Sequence, residues 1–285
     1  MRRFGKRNKC MSLCVLAGVL ALTLFAVVVL TACGDDAADS SGDLERLVVG
    51  AVAVPHAEML DFLSYELRGK GIALEIEVYA DYLLPNIALD AGEIDANFFQ
   101  HKPYLESFNM ENGTTLRPVR SVHFEPLALY PGVTDSLDDI PQGATVAIPR
   151  DPTNGARALN LLHDAGLITL SPNAGFYASA HNIDVNDFDL QIVEAEAAQL
   201  PVLLPEVNFA VINGNYALEN GLSFDTVLAV EEKASEAASR YANYLVTRAD
   251  KVDDLAIQKL AEVLNSEELR NFIESRYRGR VVPTF

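Results

Sequence analysis

Apolar residues along this chain alternate between short continuous runs and stripes at helical spacing. Leu47 to Val54 is an unbroken apolar run, the pattern of a strand buried on both faces. Pro55 breaks it, and residues 56–70 carry Met59, Leu60, Leu63 and Leu67 on one helical face, closed by Gly69 and Gly71. Ala73 to Tyr79 sets Leu74, Ile76 and Val78 against Glu75 and Glu77, a strand with one wetter face. Asp81 is placed to cap a helix running through Leu83, Leu84, Ile87 and Leu89 to Gly92. Ile94 to Phe99 predicts a third strand, and residues 102–111 a third helix with Pro103 in its first turn. Strand and helix in alternation predict βαβ units around a parallel sheet.

Val122 to Tyr130 predicts a further strand, broken at Pro126, and Pro131-Gly132 a turn. A second set follows: a strand over Ala144 to Ile148, then a helix opened by Asp151-Pro152 that runs through Leu159, Leu161 and Leu162 to Gly166. Residues 171–189 are weakly patterned and read as loop with a short helix. Short strands are expected at Leu190 to Val193, Phe209 to Ile212, Val227 to Val230 and Tyr244 to Thr247, while Glu231 to Arg240 reads as polar and exposed. Helices over 252–264 and 266–277 precede the C-terminal Val281 to Phe285. The expected fold class is α/β with two lobes, lobe 1 from 46–130 plus 245–285 and lobe 2 from 131–244. The first set alone lacks the strands and covering helices of a complete lobe, which is why the last helices are returned to it. Such a chain crosses between lobes at least twice and leaves a cleft at the crossing.

The N-terminus changes the picture of where this fold resides. A basic segment ends at Lys9, an apolar run follows from Met11 to Leu30, and Leu30-Thr31-Ala32-Cys33 comes next. An apolar run of about 20 residues can span a bilayer, but small residues before a cysteine fit a cleaved signal peptide over 1–32. Leu-Thr-Ala-Cys resembles the bacterial lipobox, which implies acylation of Cys33, and the Asp-, Ala-, Ser- and Gly-rich residues up to 45 read as a flexible tether. The expected location is the cell membrane, lipid-anchored and facing outside the cytoplasm. Cys10 and Cys14 leave with the signal peptide, so no disulfide framework and no cysteine metal site is expected. Of the 285 residues, 49% are hydrophobic and 22% charged, a globular composition. The formal charge of −18 becomes −23 once residues 1–32, with five basic groups and no acid, are removed. An acidic surface of that kind argues against nucleic acid as a partner.

The densest candidate chemistry lies at 93–104, where a strand end presents Gln100, His101, Phe98 and Phe99 just before a helix start. Ligands of open α/β sheets sit at such strand ends. Arg157 follows the helix opening Asp151-Pro152-Thr153-Asn154-Gly155, where free backbone N–H groups and a guanidinium suit a carboxylate. The other reading of Arg157 is a solvated side chain paired with an acid such as Asp151. Asn213 and Asn243 each border a strand end, and an asparagine offers both donor and acceptor to a zwitterion. The five histidines are scattered, and no His-Glu-x-x-His, phosphate loop, Gly-x-Gly-x-x-Gly or Gly-x-Ser-x-Gly occurs. No enzyme activity, no cofactor and no metal site is therefore expected.

Seven segments, in order, resemble the MetQ/NlpA family of bacterial lipoproteins, the methionine-binding components of an ABC importer. They are Val-Pro-His-Ala-Glu (54–58), Asp-Tyr-Leu-Leu-Pro-Asn (81–86), Glu-Ile-Asp-Ala-Asn-Phe-Phe-Gln-His-Lys-Pro-Tyr-Leu (93–105) and Asp-Pro-Thr-Asn-Gly-Ala-Arg (151–157), then Glu-Ala-Ala-Gln-Leu-Pro (196–201), Ala-Val-Ile-Asn-Gly-Asn-Tyr-Ala (210–217) and Tyr-Ala-Asn (241–243). The resemblance runs over 46–285 and implies a two-lobe, periplasmic-binding-protein-like fold that closes on L-methionine or a close relative. It implies a site of Tyr82, Phe99, His101, Arg157, Asn213 and Asn243. Arg157 then holds the α-carboxylate, the asparagines serve the amino-acid head, Tyr82 and Phe99 line a slot for the thioether, and His101 orients ligand or pocket. The implied partners are a membrane permease and its ATPase. D-methionine, a methionine-containing dipeptide, and a surface role in adhesion or signalling are the alternatives. Val202-Leu-Leu-Pro-Glu replaces the family's usual arginine and acidic run, residues 176–183 are unusual, and Arg150 stands where asparagine is common.

Overall fold

The computed structural model describes residues 44–232 and 236–285. The signal peptide, Cys33 and nearly all of the tether lie outside the described residues. None of the described helices is long and apolar enough to cross a membrane.

The first apolar run forms β1 (Glu45–Val52), whose last six residues are buried. It pairs in parallel with β2 (Ile72–Tyr79) and β3 (Ala96–His101) on its two sides. The helices between them follow the expected stripes. In α1 (Glu58–Gly69), Met59, Leu60, Leu63 and Leu67 are buried. In α2 (Leu84–Ala91), Asp81 Oδ1 accepts the N–H groups of Leu83 and Leu84 at 2.7 and 2.8 Å, the capping expected of it. The third helix, α3 (Lys102–Asn112), is capped by the ring of His101 and stopped at Gly113 in the left-handed region.

The stretch expected as one strand around Pro126 is two strands in different sheets. The first, β4 (Arg117–Phe124), belongs with β1 to β3, whereas β5 (Ala128–Pro131) pairs antiparallel with Phe209–Ile212 in the second sheet. Residues 128–130, assigned to lobe 1 from sequence, are therefore strand residues of the second sheet. Proline breaks a ladder at the first of the two points where the chain changes sheets.

The second sheet adds β6 (Thr145–Pro149), whose exit is followed by α4 (Pro152–Asp164). Residues 171–189, expected as loop with a short helix, contain two single 3₁₀ turns and β8 (Ile183–Val185), which pairs antiparallel with β7 (Thr169–Leu170) just before them. Next come β9 (Gln191–Ala195), the short helix α5 (Leu200–Leu203), β10 (Phe209–Ile212), α6 (Gly214–Glu219) and β11 (Ala229–Val230). The order of the second sheet is β11-β5-β10-β6-β9.

After the short helix α7 (Glu236–Arg240), the chain returns to the first sheet as β12 (Asn243–Thr247), inserted antiparallel between β3 and β4. Residues 243 and 244, expected in lobe 2, thus pair in the first sheet. The helices α8 (Leu255–Val263) and α9 (Glu267–Tyr277) pack on that sheet: Ile257, Leu260, Leu269 and Ile273 share one buried cluster with Val49, Phe98 and Leu63. A last strand, β13 (Val282–Pro283), closes the edge beside β4. The order is β13-β4-β12-β3-β1-β2, and a separate buried cluster underlies the second sheet. The two cores are joined by the crossings at 125–127 and 231–242.

Candidate functional site

The crossings and the carboxyl ends of β3, β6 and β10 converge on one cavity between the sheets. Its free space, counted out to the open mouth, is about 340 Å³. Tyr82, Phe99, His101, Arg157, Asn213 and Asn243, the six ligand residues expected from sequence, all line it.

Arg157 is 4% exposed, so it is not the solvated side chain of the alternative reading. Nor is Asp151 its partner. Its Nε and Nη2 donate to the two carboxylate oxygens of Glu231, at 2.7 and 2.5 Å, and Nη2 also donates to the carbonyl of Glu125 at 2.7 Å. The guanidinium lies over the ring of Tyr241 at 4.5 Å. Burial opposes its charge, but Glu231, with Tyr241 and Glu125 beside it, more than offsets burial and holds it cationic. Among the described residues, no hydrogen bond reaches Nη1. Glu231 belongs to the stretch read as exposed, and that reading fails for it because a buried guanidinium demands a carboxylate.

A chain of amides fixes the polarity of the site. Asp151 caps α4 through the N–H of Asn154 and also accepts from Asn154 Nδ2, both oxygens at 3.1 Å. A carboxylate only accepts, so Asn154 Oδ1 must face the cavity, where it receives His101 Nε2 at 3.1 Å and Asn213 Nδ2 at 2.9 Å. His101 Nδ1 is already the acceptor for the N–H of Tyr104 at 3.2 Å. Its proton therefore sits on Nε2. Burial, then the Arg157 charge, push its pKa down to about 3, so the ring is neutral. Asn213, having donated through Nδ2, is left with a buried Oδ1 that has no partner.

Tyr82 anchors the apolar wall. It stacks on Phe99 with centroids 5.8 Å apart and contacts the rings of Tyr104 and Tyr216. Its hydroxyl donates to Asn215 Oδ1 at 2.5 Å, which leaves Asn215 Nδ2 buried and without a partner. Gly155 and Gly214 are where backbones close on one another. A Cβ at 155 would stand 2.9 Å from the Pro149 carbonyl, and one at 214 would stand 2.9 Å from Glu125 Cβ.

Sequence reading missed Glu125, Asn154 and Asn215 as lining residues, although the last two lie inside segments singled out there. It also missed that two of the scattered histidines meet. His56 and His123 both approach Glu125 Oε1 through Nε2, at 3.4 and 2.8 Å, and all three residues are buried. Their ligand atoms lie within 4.8 Å of one another, close enough to suggest a metal. The chemistry does not fit one. The His123 contact has hydrogen-bond length, and the Nδ1 atoms of both rings lack the outer partner that metal-bound histidines use. Burial lowers both rings, His56 to about 4 and His123 to about 3, so both imidazoles are neutral, His123 bonding Glu125 and His56 bonding Asn243 beside it.

A two-lobe α/β fold with a polar, ring-walled cavity at its crossings is that of a solute-binding protein. The NlpA lipoprotein family model matches residues 47–285, and the chain belongs to that family. It is 39% identical to the membrane lipoprotein TpN32 of Treponema pallidum, over 82% of this chain and 87% of that one. It is 36% identical to the methionine-binding lipoprotein MetQ of Bacillus subtilis, over 92% and 96%. Among solved structures, a nutrient-binding protein from Burkholderia cenocepacia bound to methionine superposes with a TM-score of 0.79 at 37% identity, covering 84% of this chain and all of that one.

Glu231→Ala leaves the Arg157 charge buried and unpaired, and is expected to lower unfolding free energy by about 3–5 kcal/mol. The double variant Arg157→Met/Glu231→Met is expected to recover most of that loss in the same urea titrations. For His101, the folded pKa lies below the unfolded one, so stability is full above about pH 6.5 and falls towards about pH 3. The unfolding free energy of wild type relative to His101→Gln is expected to drop by up to about 1.4 kcal/mol per pH unit across that window. An unchanged difference between pH 7 and pH 5 would mean that the ring takes up a proton while folded.

Proposed function

We propose that this protein is a membrane-tethered receptor that binds L-methionine, or a close relative, and delivers it to the permease and ATPase of an ABC importer, performing no chemistry itself. Lipidation at Cys33 supplies the tether. The observation that carries the reading is the pair of unpaired polar atoms in the cavity. Asn213 Oδ1 can only accept and Asn215 Nδ2 can only donate, and both residues line the cavity with Arg157. Buried polar groups are otherwise hydrogen-bonded, and a zwitterionic head satisfies an acceptor, a donor and a guanidinium together. The stacked rings of Tyr82 and Phe99 then take the side chain, and a thioether packs well against aromatic faces.

In this reading Arg157 gives its free Nη1 to the α-carboxylate, Asn213 accepts from the ammonium, and Asn243 supplies a further amide. His101 positions Asn154 and Asn213 and carries no charge. The lobes meet at the crossings 125–127 and 231–242, so a ligand touching both sheets favours the closed arrangement of these hinges. The relatives named for methionine, and the methionine-bound neighbour, support this choice over adhesion or signalling.

The test is thermal unfolding of refolded, ligand-stripped protein with a panel of L- and D-methionine and methionine dipeptides. L-Methionine at about a hundred times its dissociation constant should add roughly 2.7 kcal/mol. Asn213→Ala should weaken that binding by about ten-fold. A larger shift with D-methionine or a dipeptide would replace L-methionine as the ligand, and no shift with any of them would remove the receptor reading.

A further inference from the structure

We propose that Glu125 is the counter-charge for the α-ammonium of the bound amino acid, and that His56 and His123 are positioning residues that hold its carboxylate at the cavity wall. The inference rests on the amino-acid reading and deepens it by naming what makes a free ammonium obligatory.

Among the described residues, the only formally charged side chains lining the cavity are Arg157 and Glu125. They are not each other's partners. Arg157 spends two edges on Glu231, which does not line the cavity, and meets Glu125 only through its backbone carbonyl. The Glu125 carboxylate, 6% exposed as a residue, is left with neutral company. Nε2 of His123 lies 2.8 Å and Nε2 of His56 3.4 Å from Oε1, and the backbone N–H of Asn215 also bonds the group. His56 Nε2 is in turn 3.1 Å from Asn243 Oδ1, so the triad is tied to β12 as well as to the first crossing.

A buried carboxylate without a cation is costly, and in such a site the charged form is disfavoured until a cation arrives. Burial does raise the pKa of Glu125, against the opposing pull of His56 and Arg157. His123 Nε2 and the N–H of Asn215 are donors that favour the anion, while His56 Nε2 is given to Asn243 Oδ1. Asn213, whose Oδ1 is an unpaired acceptor, immediately precedes the Gly214 that packs against Glu125. A tetrahedral ammonium needs several acceptors at once, and this corner of the cavity offers a carboxylate and an amide oxygen. The guanidinium serves the opposite end of the zwitterion. The site then discriminates by charge at both ends of the head group: it admits amino acids and peptides with a free α-ammonium, and rejects the des-amino acid and N-acylated forms.

The experiment compares L-methionine with 4-(methylthio)butanoate, which keeps the carboxylate and thioether and lacks the amine, by calorimetric titration of the full chain in detergent. Wild type should prefer L-methionine by more than about ten-fold. Glu125→Gln, which keeps shape and one acceptor, should lose about 10- to 100-fold for L-methionine and change little for the des-amino acid. Glu125→Asp, which keeps the charge, should retain most of the preference. The proposal is overturned if Glu125→Gln keeps the wild-type preference, or if it weakens both ligands equally while remaining folded. Wild-type binding of both ligands with equal affinity overturns it without any variant, which covers the case of a Gln variant that does not fold. A wild type that binds neither ligand overturns the methionine reading itself, and this inference with it.

Discussion

A guanidinium cannot be buried without partners, and the burial of Arg157 organises the middle of this molecule. The side chain rises from α4 on the second sheet and grips both crossing segments, Glu125 through its carbonyl and Glu231 through its carboxylate. Glu231 in turn accepts the N–H of Leu127, so the two crossings are bonded to each other as well as to the arginine. Replacing the pair by apolar residues of like size need not cost stability. What such residues could not do is leave one donor edge facing a cavity. In the proposed receptor, the pair holds a cation in place for the ligand's carboxylate.

Polarity in the rest of the site descends from Asp151. Because it only accepts, it turns Asn154, which turns His101 and Asn213, and the sequence of bonds ends on an unpaired oxygen in the cavity. Each amide has two possible orientations in isolation and one in this chain of contacts. The same logic runs from the Tyr82 phenol, which burial keeps protonated, through Asn215 to an unpaired N–H. A neutral His101 belongs to this scheme, since a second positive charge beside Arg157 would repel the arginine's own neighbourhood.

Much of this was legible in the sequence, for physical reasons that differ from element to element. The strand over Leu47 to Val52 and the helix stripe from Met59 to Leu67 are dictated by burial alone, and periodicity reports burial. The cavity-lining residues of 93–104 and 151–157 sit at strand exits followed by helix caps, a local pattern. The sheet change at Pro126 was not legible. A proline inside an apolar run is the same symbol whether the strand bends or the chain leaves for another sheet. Glu231 and the meeting of His56, His123 and Glu125 were hidden because their partners are distant in sequence, and a charged residue in a polar stretch carries no mark of burial. Residues 169–185 form a two-strand flap whose pairs are too short for alternation to show.

Whether one amino acid lies between the stacked rings and the guanidinium is decided by an anomalous-scattering crystal structure with L-selenomethionine as ligand. One ligand selenium peak is expected between Tyr82 and Phe99, with the carboxylate on Arg157 Nη1 and the ammonium towards Glu125 and Asn213. A selenium peak outside this cavity, or a ligand whose carboxylate turns away from Arg157, would contradict it.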